Sequence, residues 1–311
     1  MDLSAVDYSN NNSKGVSYTA GFFMLAGLAL LGLVIASTIG AAILLSQNNV
    51  GLNNIEAALK DPSNAGAIRL VQVISVTLSM LLPSLLVAAI LNRQPLRLLG
   101  FTREVNSKQV GLVLLIVLAS VSVASALGYL NKELPFFAQW KDDFERLEQD
   151  YAQQVAVMVD LKSTGGFLLS LLIMAVLPAI CEEALFRGGL QNFLTRATGR
   201  PWLSIIVVSI LFSLVHLSFY GFLPRLFLGV MLGAVFYYTK NLWLAIFAHF
   251  LNNALAVTAM YVAVQQGKDI RTAMNEDLPF YWGLVALPLV LFLFYRLKRN
   301  TPPQATERNI S

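Results

Sequence analysis

The chain contains long apolar runs in a number that only a membrane-spanning fold accommodates. A helix needs about 20 apolar residues to cross the hydrocarbon core of a bilayer. Eight runs approach or exceed this length, the fifth and sixth being the shortest: 18–45, 70–91, 110–130, 166–194, 202–217, 222–239, 242–264 and 279–297. Because lipid offers the backbone no hydrogen-bond partners, such runs predict helices. The predicted fold class is all-α, a polytopic membrane protein with about eight transmembrane helices.

Composition excludes the main alternatives. Of the 311 residues, 56% are hydrophobic and only 13% are charged, whereas soluble domains carry about 25% charged residues. A soluble protein, a disordered chain and a nucleic-acid-binding protein are therefore excluded. The net charge of +4 needs no nucleic-acid partner, because cytoplasmic loops of membrane proteins are ordinarily basic. The predicted environment is the lipid bilayer.

The sequence divides into three parts. Residues 1–17 form a polar N-terminal segment, residues 18–297 a single transmembrane domain, and residues 298–311 a basic tail. Within the transmembrane domain, 131–165 is predicted to be an extramembrane loop. No stretch outside the apolar runs is long enough to fold as a separate domain.

Loop charges predict the orientation of the spans. The loop at 131–165 has seven acidic and four basic residues, whereas the loop at 92–108 has one acidic residue and four basic ones, Arg93, Arg97, Arg103 and Lys108. Since Lys and Arg accumulate on the cytoplasmic side, even-numbered loops are predicted inside and odd-numbered loops outside. Both termini and the basic tail are then cytoplasmic. The protein is predicted to be integral and multi-pass, in the plasma membrane or, if bacterial, the inner membrane.

The acidic loop also contains a helical pattern. Apolar residues recur at helical spacing between its charged positions: Phe144, Leu147, Tyr151, Val155 and Met158. This pattern predicts an amphipathic helix lying on the membrane interface. The helix either caps the bundle as a solvated element or acts as a lid or substrate guide over a cavity.

Ionisable side chains inside the spans are few and concentrated. The first three spans carry none, and Arg225 lies near the start of the sixth. The fourth, fifth and seventh spans contain the remaining group, which includes both histidines of the chain: Glu182, Glu183, Arg187, His216 and His249. Ionisable residues within membrane spans are costly and usually functional. These spans are therefore predicted to surround an intramembrane catalytic cavity.

Helical geometry separates the two adjacent glutamates. Glu183 and Arg187 are four residues apart, share a helix face and can form an ion pair. Glu182 points about 100° away and is available to face a cavity. Two other interpretations stay open here: a buried ion-pair network that holds spans together, and a proton-relay carboxylate of a transporter.

Two further pairs have the same four-residue interval. Phe212 precedes His216 by one turn, and His249 precedes Asn253 by one turn. A carboxylate, two imidazoles and an amide suit hydrolysis by activated water, with donors available for an oxyanion. One carboxylate and two histidines are also a ligand set of catalytic zinc, although the zinc-protease motif HExxH is missing from the sequence.

These motifs resemble those of a known family. Glu182-Glu183-x-x-x-Arg187, Phe212-x-x-x-His216 and His249-x-x-x-Asn253, in this order on separate spans, are similar to the three motifs of the CPBP family. This family comprises the CAAX-processing and bacteriocin-processing intramembrane proteases, also called the Abi family. The resemblance covers 166–264, while the first three spans and the last are only compatible with it.

The resemblance implies roles for individual residues. Glu182 would be the general base that activates water, and His216 would share that water. His249 and Asn253 would form the oxyanion hole. Glu183, Arg187 and Phe212 would support the site. The family is named for metalloproteases, but we favour a glutamate mechanism that requires no cofactor, with zinc held by Glu182, His216 and His249 as the alternative.

The implied function is an intramembrane endopeptidase that hydrolyses a peptide bond of a membrane-associated peptide or protein. The alternatives are a non-proteolytic membrane scaffold or bacteriocin self-immunity protein and, less favoured because no inverted repeat is visible, a proton-coupled transporter. One observation conflicts with a common site. Counted from the predicted cytoplasmic ends, Glu182 and His216 lie at a depth of ~21 Å, but His249 lies at ~10 Å. Either the boundaries are wrong, or the fourth and fifth spans extend beyond the membrane.

Overall fold

The computed structural model describes residues 12–47, 50–102, 104–133, 140–270 and 278–301. Predictions for residues 1–11, Arg103, 134–139, 271–277 and 302–311 lie outside this part of the chain. Helices are the only named elements within it, and a single β-bridge joins Ser13 to Asn92. The helices are α1 (Tyr18–Leu45), α2 (Ile55–Ala58), α3 (Pro62–Leu91), α4 (Pro95–Leu98), α5 (Ser107–Lys132), α6 (Lys141–Met158), α7 (Thr164–Thr198), α8 (Pro201–Leu214), α9 (Phe222–Thr239), α10 (Leu242–Gln265) and α11 (Phe280–Arg299). The predicted all-α, polytopic fold is confirmed.

Seven of these helices are long and apolar enough to cross a membrane, among the residues described. The eighth predicted span corresponds to α8, which has only 14 residues and a length of about 21 Å, against a hydrocarbon core of about 30 Å. The turn that follows α8 nevertheless reaches the end of α5, where Asn131 Nδ2 donates a hydrogen bond to the Phe219 carbonyl at 2.6 Å. The short helix and its turn together therefore extend as far as the end of the neighbouring long helix.

Polar residues at the helix ends explain several boundaries. The Ser17 hydroxyl accepts a hydrogen bond from Ala20 N at the start of α1, and the Ser163 hydroxyl accepts one from Gly166 N in the first turn of α7. Asn106 and Asn241 cap α5 and α10 in the same way. Such side chains satisfy backbone N–H groups that have no partner within the helix. Gly199 ends α7 with a φ of 68°, a conformation that glycine adopts without strain.

Two long helices contain π-helical turns. In α3 the turn spans Thr77–Leu81, and in α7 two turns span Leu172–Val176 and Ala184–Gln191. Pro83 comes just after the π-helical turn of α3, and Pro178 comes just after the first of the two π-helical turns of α7. Since proline has no backbone N–H, it leaves a carbonyl one turn earlier without its α-helical donor. Single π-helical turns occur frequently at functional sites. In α7 the first turn precedes the Glu182–Arg187 segment and the second includes Arg187.

Two apolar clusters form the main core. One joins α1, α3, α7 and α8 and includes Leu25, Val87 and Phe212. The other joins α5, α9, α10 and α11 and includes Leu232 and Ala248. Phe212 lies one turn before His216, and Ala248 lies next to His249. The predicted site residues are therefore placed where the two clusters meet.

The predicted amphipathic helix of the acidic loop is α6. Its apolar side contributes Val155 to a cluster with Val257 and Met260 of α10. Near its middle, Asp150 Oδ1 pairs with Lys60 Nζ at 2.7 Å. Toward its start, Phe144 stacks on Phe219 with ring centroids 4.1 Å apart. The helix thus lies across one end of the bundle, and its action as a lid stays a prediction.

Candidate active site

Glu183 is the centre of a fully buried polar network. Its Oε1 accepts a hydrogen bond from Arg187 Nη1 at 2.6 Å and a second from His249 Nδ1 at 2.8 Å. Its side chain is 0% exposed, and that of Arg187 is 1% exposed. Arg187 Nη2 continues the network to the Gly229 carbonyl on α9 at 3.2 Å. The predicted i,i+4 ion pair is present, and it links α7, α9 and α10.

The aromatic ring of Phe212 closes one side of this network. The Arg187 guanidinium lies over the ring, with Cζ 4.6 Å from its centroid. The same ring contacts His216 and His249 at centroid distances of 5.0 and 5.9 Å. Phe212 therefore keeps the two imidazoles apart and shields the cation from lipid, which fits the supporting position predicted for it.

Glu182 differs from its neighbour. It is 9% exposed, and its Oε2 is buried without a hydrogen-bond partner among the described residues. His249 Nε2 lies 3.9 Å from this oxygen. Glu183 is thus fixed through its Oε1 by two protein contacts and fully enclosed, whereas the partly exposed Glu182 side chain has no such contact among the described residues.

His216 lies in the turn after α8 and is oriented by a backbone carbonyl of that helix. Its Nδ1 is 2.7 Å from the Phe212 carbonyl, and because a carbonyl only accepts, Nδ1 carries the proton. The neutral imidazole then presents an unprotonated Nε2, which is a base or hydrogen-bond acceptor. The same reasoning applies to His249, whose Nδ1 donates to the Glu183 carboxylate. His249 Nε2 is therefore a donor only when the ring is doubly protonated.

Asn253 lies on the same face of α10 as His249, one turn further on. Its Nδ2 donates to the Met174 carbonyl at 3.3 Å, and its Oδ1 accepts from Asn252 Nδ2 at 3.2 Å. The Met174 carbonyl is the one whose α-helical donor would be residue 178, which is proline. Asn253 therefore satisfies a carbonyl in the π-helical turn of α7. One amide hydrogen remains for another acceptor.

The conflict in depth between Glu182 and His249 has a structural explanation. α10 begins alongside Gly188, where a Cβ atom would lie 3.3 Å from Leu242 Cδ2 and 2.8 Å from the Leu99 carbonyl oxygen. From Gly188, α7 continues for ten residues to Thr198. Ten helical residues span about 15 Å. α7 therefore extends beyond the start of α10, and the two motifs meet despite their unequal distances from the helix ends. That the fourth span extends beyond the membrane stays a prediction.

A metal site does not follow from this arrangement. Across the described residues, no group of three His, Cys, Asp or Glu side chains is placed to hold a metal ion. His249 Nε2 is the ring nitrogen that its contact with Glu183 leaves available. In the described positions Glu182, His216 and His249 do not form a three-ligand set, and the zinc alternative stays an untested prediction. The chemistry below is therefore derived from protein groups.

Three groups at the site were missed by the sequence reasoning. They are the carbonyls of Gly229 and Met174 and the side chain of Asn252. Backbone carbonyls carry no sequence signal of their own. Pro178 is the one available signal, because a proline four residues after Met174 indicates an unpaired carbonyl there.

Comparison with known proteins agrees with the motifs. Residues 164–255 match the family described as Rce1-like: type II CAAX prenyl endopeptidase Rce1-like. This segment contains all three motifs, so the predicted resemblance is confirmed over it. No curated protein and no solved structure matches the chain. The match supports peptidase activity, and the long apolar helices support a multi-pass membrane protein.

Proposed function

We propose that this protein is an intramembrane endopeptidase in which Glu182 activates water for attack on a peptide bond. The observation that carries the proposal is the different environment of the two adjacent glutamates. Glu183 Oε1 is held by Arg187 and His249 and its side chain is 0% exposed, whereas the Glu182 side chain is 12% exposed and its Oε2 has no hydrogen-bond partner in the described chain. A buried carboxylate with one available oxygen suits general-base catalysis.

The proposed reaction uses four side chains. Glu182 removes a proton from water, and the oxygen attacks the carbonyl carbon of the peptide bond. The His216 Nε2, which its Nδ1 contact leaves unprotonated, accepts a hydrogen bond from the same water. His249, in its doubly protonated form, and Asn253 donate to the oxyanion. Glu182 then returns the proton to the leaving amine, and the bond between carbonyl carbon and nitrogen breaks.

The substrate class follows from location and from the family match. Glu182, His249 and Asn253 lie within helices long enough to cross a bilayer, and His216 follows the short apolar helix packed beside them, so the peptide bond must reach the membrane interior. A peptide or protein segment that is anchored to the membrane satisfies this requirement. We infer that no cofactor is needed, and full activity after exhaustive chelation is the expected result, whereas recovery of activity by zinc would contradict it.

The test compares two isosteric substitutions at carboxylates. Wild type, Glu182→Gln and Glu56→Gln are reconstituted in liposomes with N-palmitoylated peptides and with a peptide carrying a farnesylated cysteine, and the products are identified by mass spectrometry. Glu56 is an exposed carboxylate in α2 and serves as the control. Cleavage by wild type and Glu56→Gln but not by Glu182→Gln is expected. Equal cleavage by all three proteins, or by none, would contradict the proposal and favour a scaffold or self-immunity protein.

A further inference from the structure

Arg225 is a cation at the site that the proposed reaction does not use. Its Nη1 is buried and donates no hydrogen bond to any described residue. Its guanidinium lies over Tyr151 of α6, with Cζ 5.4 Å from the ring centroid. Across the described chain, no carboxylate lies within ion-pair distance of it. Arg187, the fully buried guanidinium of α7, is by contrast neutralised by Glu183.

Arg225 lies close to the proposed reaction centre. Gly229, four residues later on the same face of α9, accepts the hydrogen bond from Arg187. Four residues correspond to a rise of about 6 Å. The Ser213 hydroxyl donates to the Phe222 carbonyl at 2.7 Å, which fastens the start of α9 to the end of α8 just before His216. Arg225 is therefore one helical turn from the Glu183 network, on the side of His216.

The surroundings are shaped around the guanidinium. A Cβ atom at Gly221 would overlap Arg225 Nη1, so a residue without a side chain lies under it. Glu148 of α6 is engaged by the neighbouring Ser218, whose hydroxyl donates a hydrogen bond to Glu148 Oε2 at 2.8 Å. The described residues thus provide space and an aromatic face for this cation, but no carboxylate within ion-pair distance.

A half-buried guanidinium with one enclosed N–H group that lacks an acceptor is unfavourable. An aromatic ring compensates for only a small part of the lost hydration. The planar guanidinium matches a carboxylate through two parallel hydrogen bonds, and the match is strong where water is excluded. Four of the five buried side-chain atoms that lack a partner among the described residues belong to Glu182, Glu183, Arg187 and Arg225. Unused bonding capacity is therefore concentrated here.

We propose that Arg225 binds a carboxylate of the peptide substrate and so holds the substrate beside Glu182. This inference rests on the proposed function. A peptide has two sources of this group, its C-terminal carboxylate and the side chain of an internal Asp or Glu. Both place the same anion on the guanidinium. Arg225 would thereby select acidic or C-terminal segments over neutral internal ones.

The experiment measures binding separately from cleavage. Glu182→Gln protein in phosphatidylcholine nanodiscs is titrated with three N-palmitoylated octapeptides of otherwise identical sequence. One ends in a free carboxylate, one in a carboxamide, and one in a carboxamide with an internal Asp. The same titrations are repeated after adding Arg225→Gln, Arg225→Lys or the control Arg196→Gln. Arg196, on α7, already donates to Asn192 Oδ1 at 2.9 Å.

At least one of the two acidic peptides is expected to bind about tenfold more tightly than the neutral peptide. This preference should disappear with Arg225→Gln, persist in part with Arg225→Lys, and remain with Arg196→Gln. Whichever acidic peptide binds more tightly shows whether Arg225 binds the C-terminal carboxylate or the internal Asp side chain. Equal affinity for all three peptides, or an unchanged preference in Arg225→Gln, would overturn the inference. Since Arg225→Gln removes a buried charge, retention of its melting temperature checks that the variant is folded.

Cleavage by the wild type tells the two proposals apart. Acid-selective binding through Arg225 without any peptide cleavage would overturn the proposed function and leave carboxylate recognition standing. Cleavage of all three peptides at equal kcat/KM would overturn only the role of Arg225.

Discussion

At the residue scale, we propose separate tasks for the adjacent carboxylates of α7. Glu183 joins Arg187 and His249 by short hydrogen bonds, and its removal leaves a buried guanidinium without its anion. Breaking a buried ion pair in this way costs about 3–5 kcal/mol. Glu182 Oε2 makes no comparable contact within the described chain. The proposal thus gives Glu183 a structural task and Glu182 a catalytic one, with the two side chains about 100° apart on the helix.

A pair of isosteric substitutions tests this separation. Glu183→Gln is expected to lower the free energy of unfolding by about 3–5 kcal/mol. Glu182→Gln should leave stability nearly unchanged and reduce turnover by about 10²–10⁴-fold, the range for loss of a general base. Thermal unfolding in detergent and peptide cleavage measure the two effects. A large loss of stability in Glu182→Gln would show that this side chain also has a structural role.

Lys240 gives a prediction for pH. Burial, and secondarily the charge of Arg196, lowers the pKa of Lys240 to about 8 from the ordinary lysine value of 10.5. Between these two values the unfolded chain binds more protons than the folded one, so stability rises with pH in this window. The melting temperature of the wild type should increase from pH 7.5 to 9.5 relative to that of Lys240→Gln. A constant difference between the two proteins would show that the folded pKa is not lowered.

At the scale of the helices, α7 and α10 are joined where α7 departs from α-helical geometry. Pro178 cannot donate to the Met174 carbonyl, and Asn253 Nδ2 takes over as the donor at 3.3 Å. The amide thus has a structural contact in addition to its proposed donation to the oxyanion. A single substitution of Asn253 cannot distinguish these two roles, since both would be lost together.

A double substitution distinguishes them. Asn253→Leu should destabilise the protein by about 1–3 kcal/mol, because a buried carbonyl loses its partner. Adding Pro178→Ala restores a backbone N–H in α7 and should recover much of this stability. Cleavage should remain low in the double variant, because the amide is still missing. If cleavage recovers together with stability, Asn253 does not act on the oxyanion.

The helices differ in how far the sequence determines them. The bounds of α1 and α9 coincide with the predicted runs because apolar residues end abruptly there, at Ser46 and at Lys240. The second span was predicted from residue 70, but the helix begins at Pro62. Its first residues include polar ones that hydropathy does not count, and Asp61 caps the turn through Ser63 N. Hydropathy reports lipid contact, whereas helix ends are set by capping.

The candidate site was predictable only in part, because contacts within one helix follow from the sequence whereas contacts between helices do not. The Glu183–Arg187 pair follows from the four-residue spacing within one helix. The contact of His249 with Glu183 joins α10 to α7 and depends on how far α7 extends beyond Leu242. Periodicity gives the face of a residue on its helix but not the relative height of two helices. For this reason the depths of Glu182 and His249, ~21 and ~10 Å by residue counting, conflict although the side chains meet.

At the scale of the whole molecule, topology depends on α8. An even number of crossings places both termini on one side of the membrane, and an odd number separates them. The 14 residues of α8 are fewer than the about 20 that a crossing needs. However, the turn after α8 contacts Asn131 at the end of α5, and the 26 residues of α5 are enough to cross. We therefore expect α8 and its turn to complete a crossing, giving eight.

Cysteine labelling tests this number. The only native cysteine, Cys181, is buried and is replaced by alanine. Single cysteines are then introduced at Ser4, Ser311 and Leu52, the last being 76% exposed between α1 and α3. A membrane-impermeant maleimide applied to intact cells should label Leu52→Cys at once, and Ser4→Cys and Ser311→Cys only after permeabilisation. Both termini are then cytoplasmic, as the loop charges predict. Labelling of the two termini from opposite sides would mean seven crossings and an α8 that enters the membrane without traversing it.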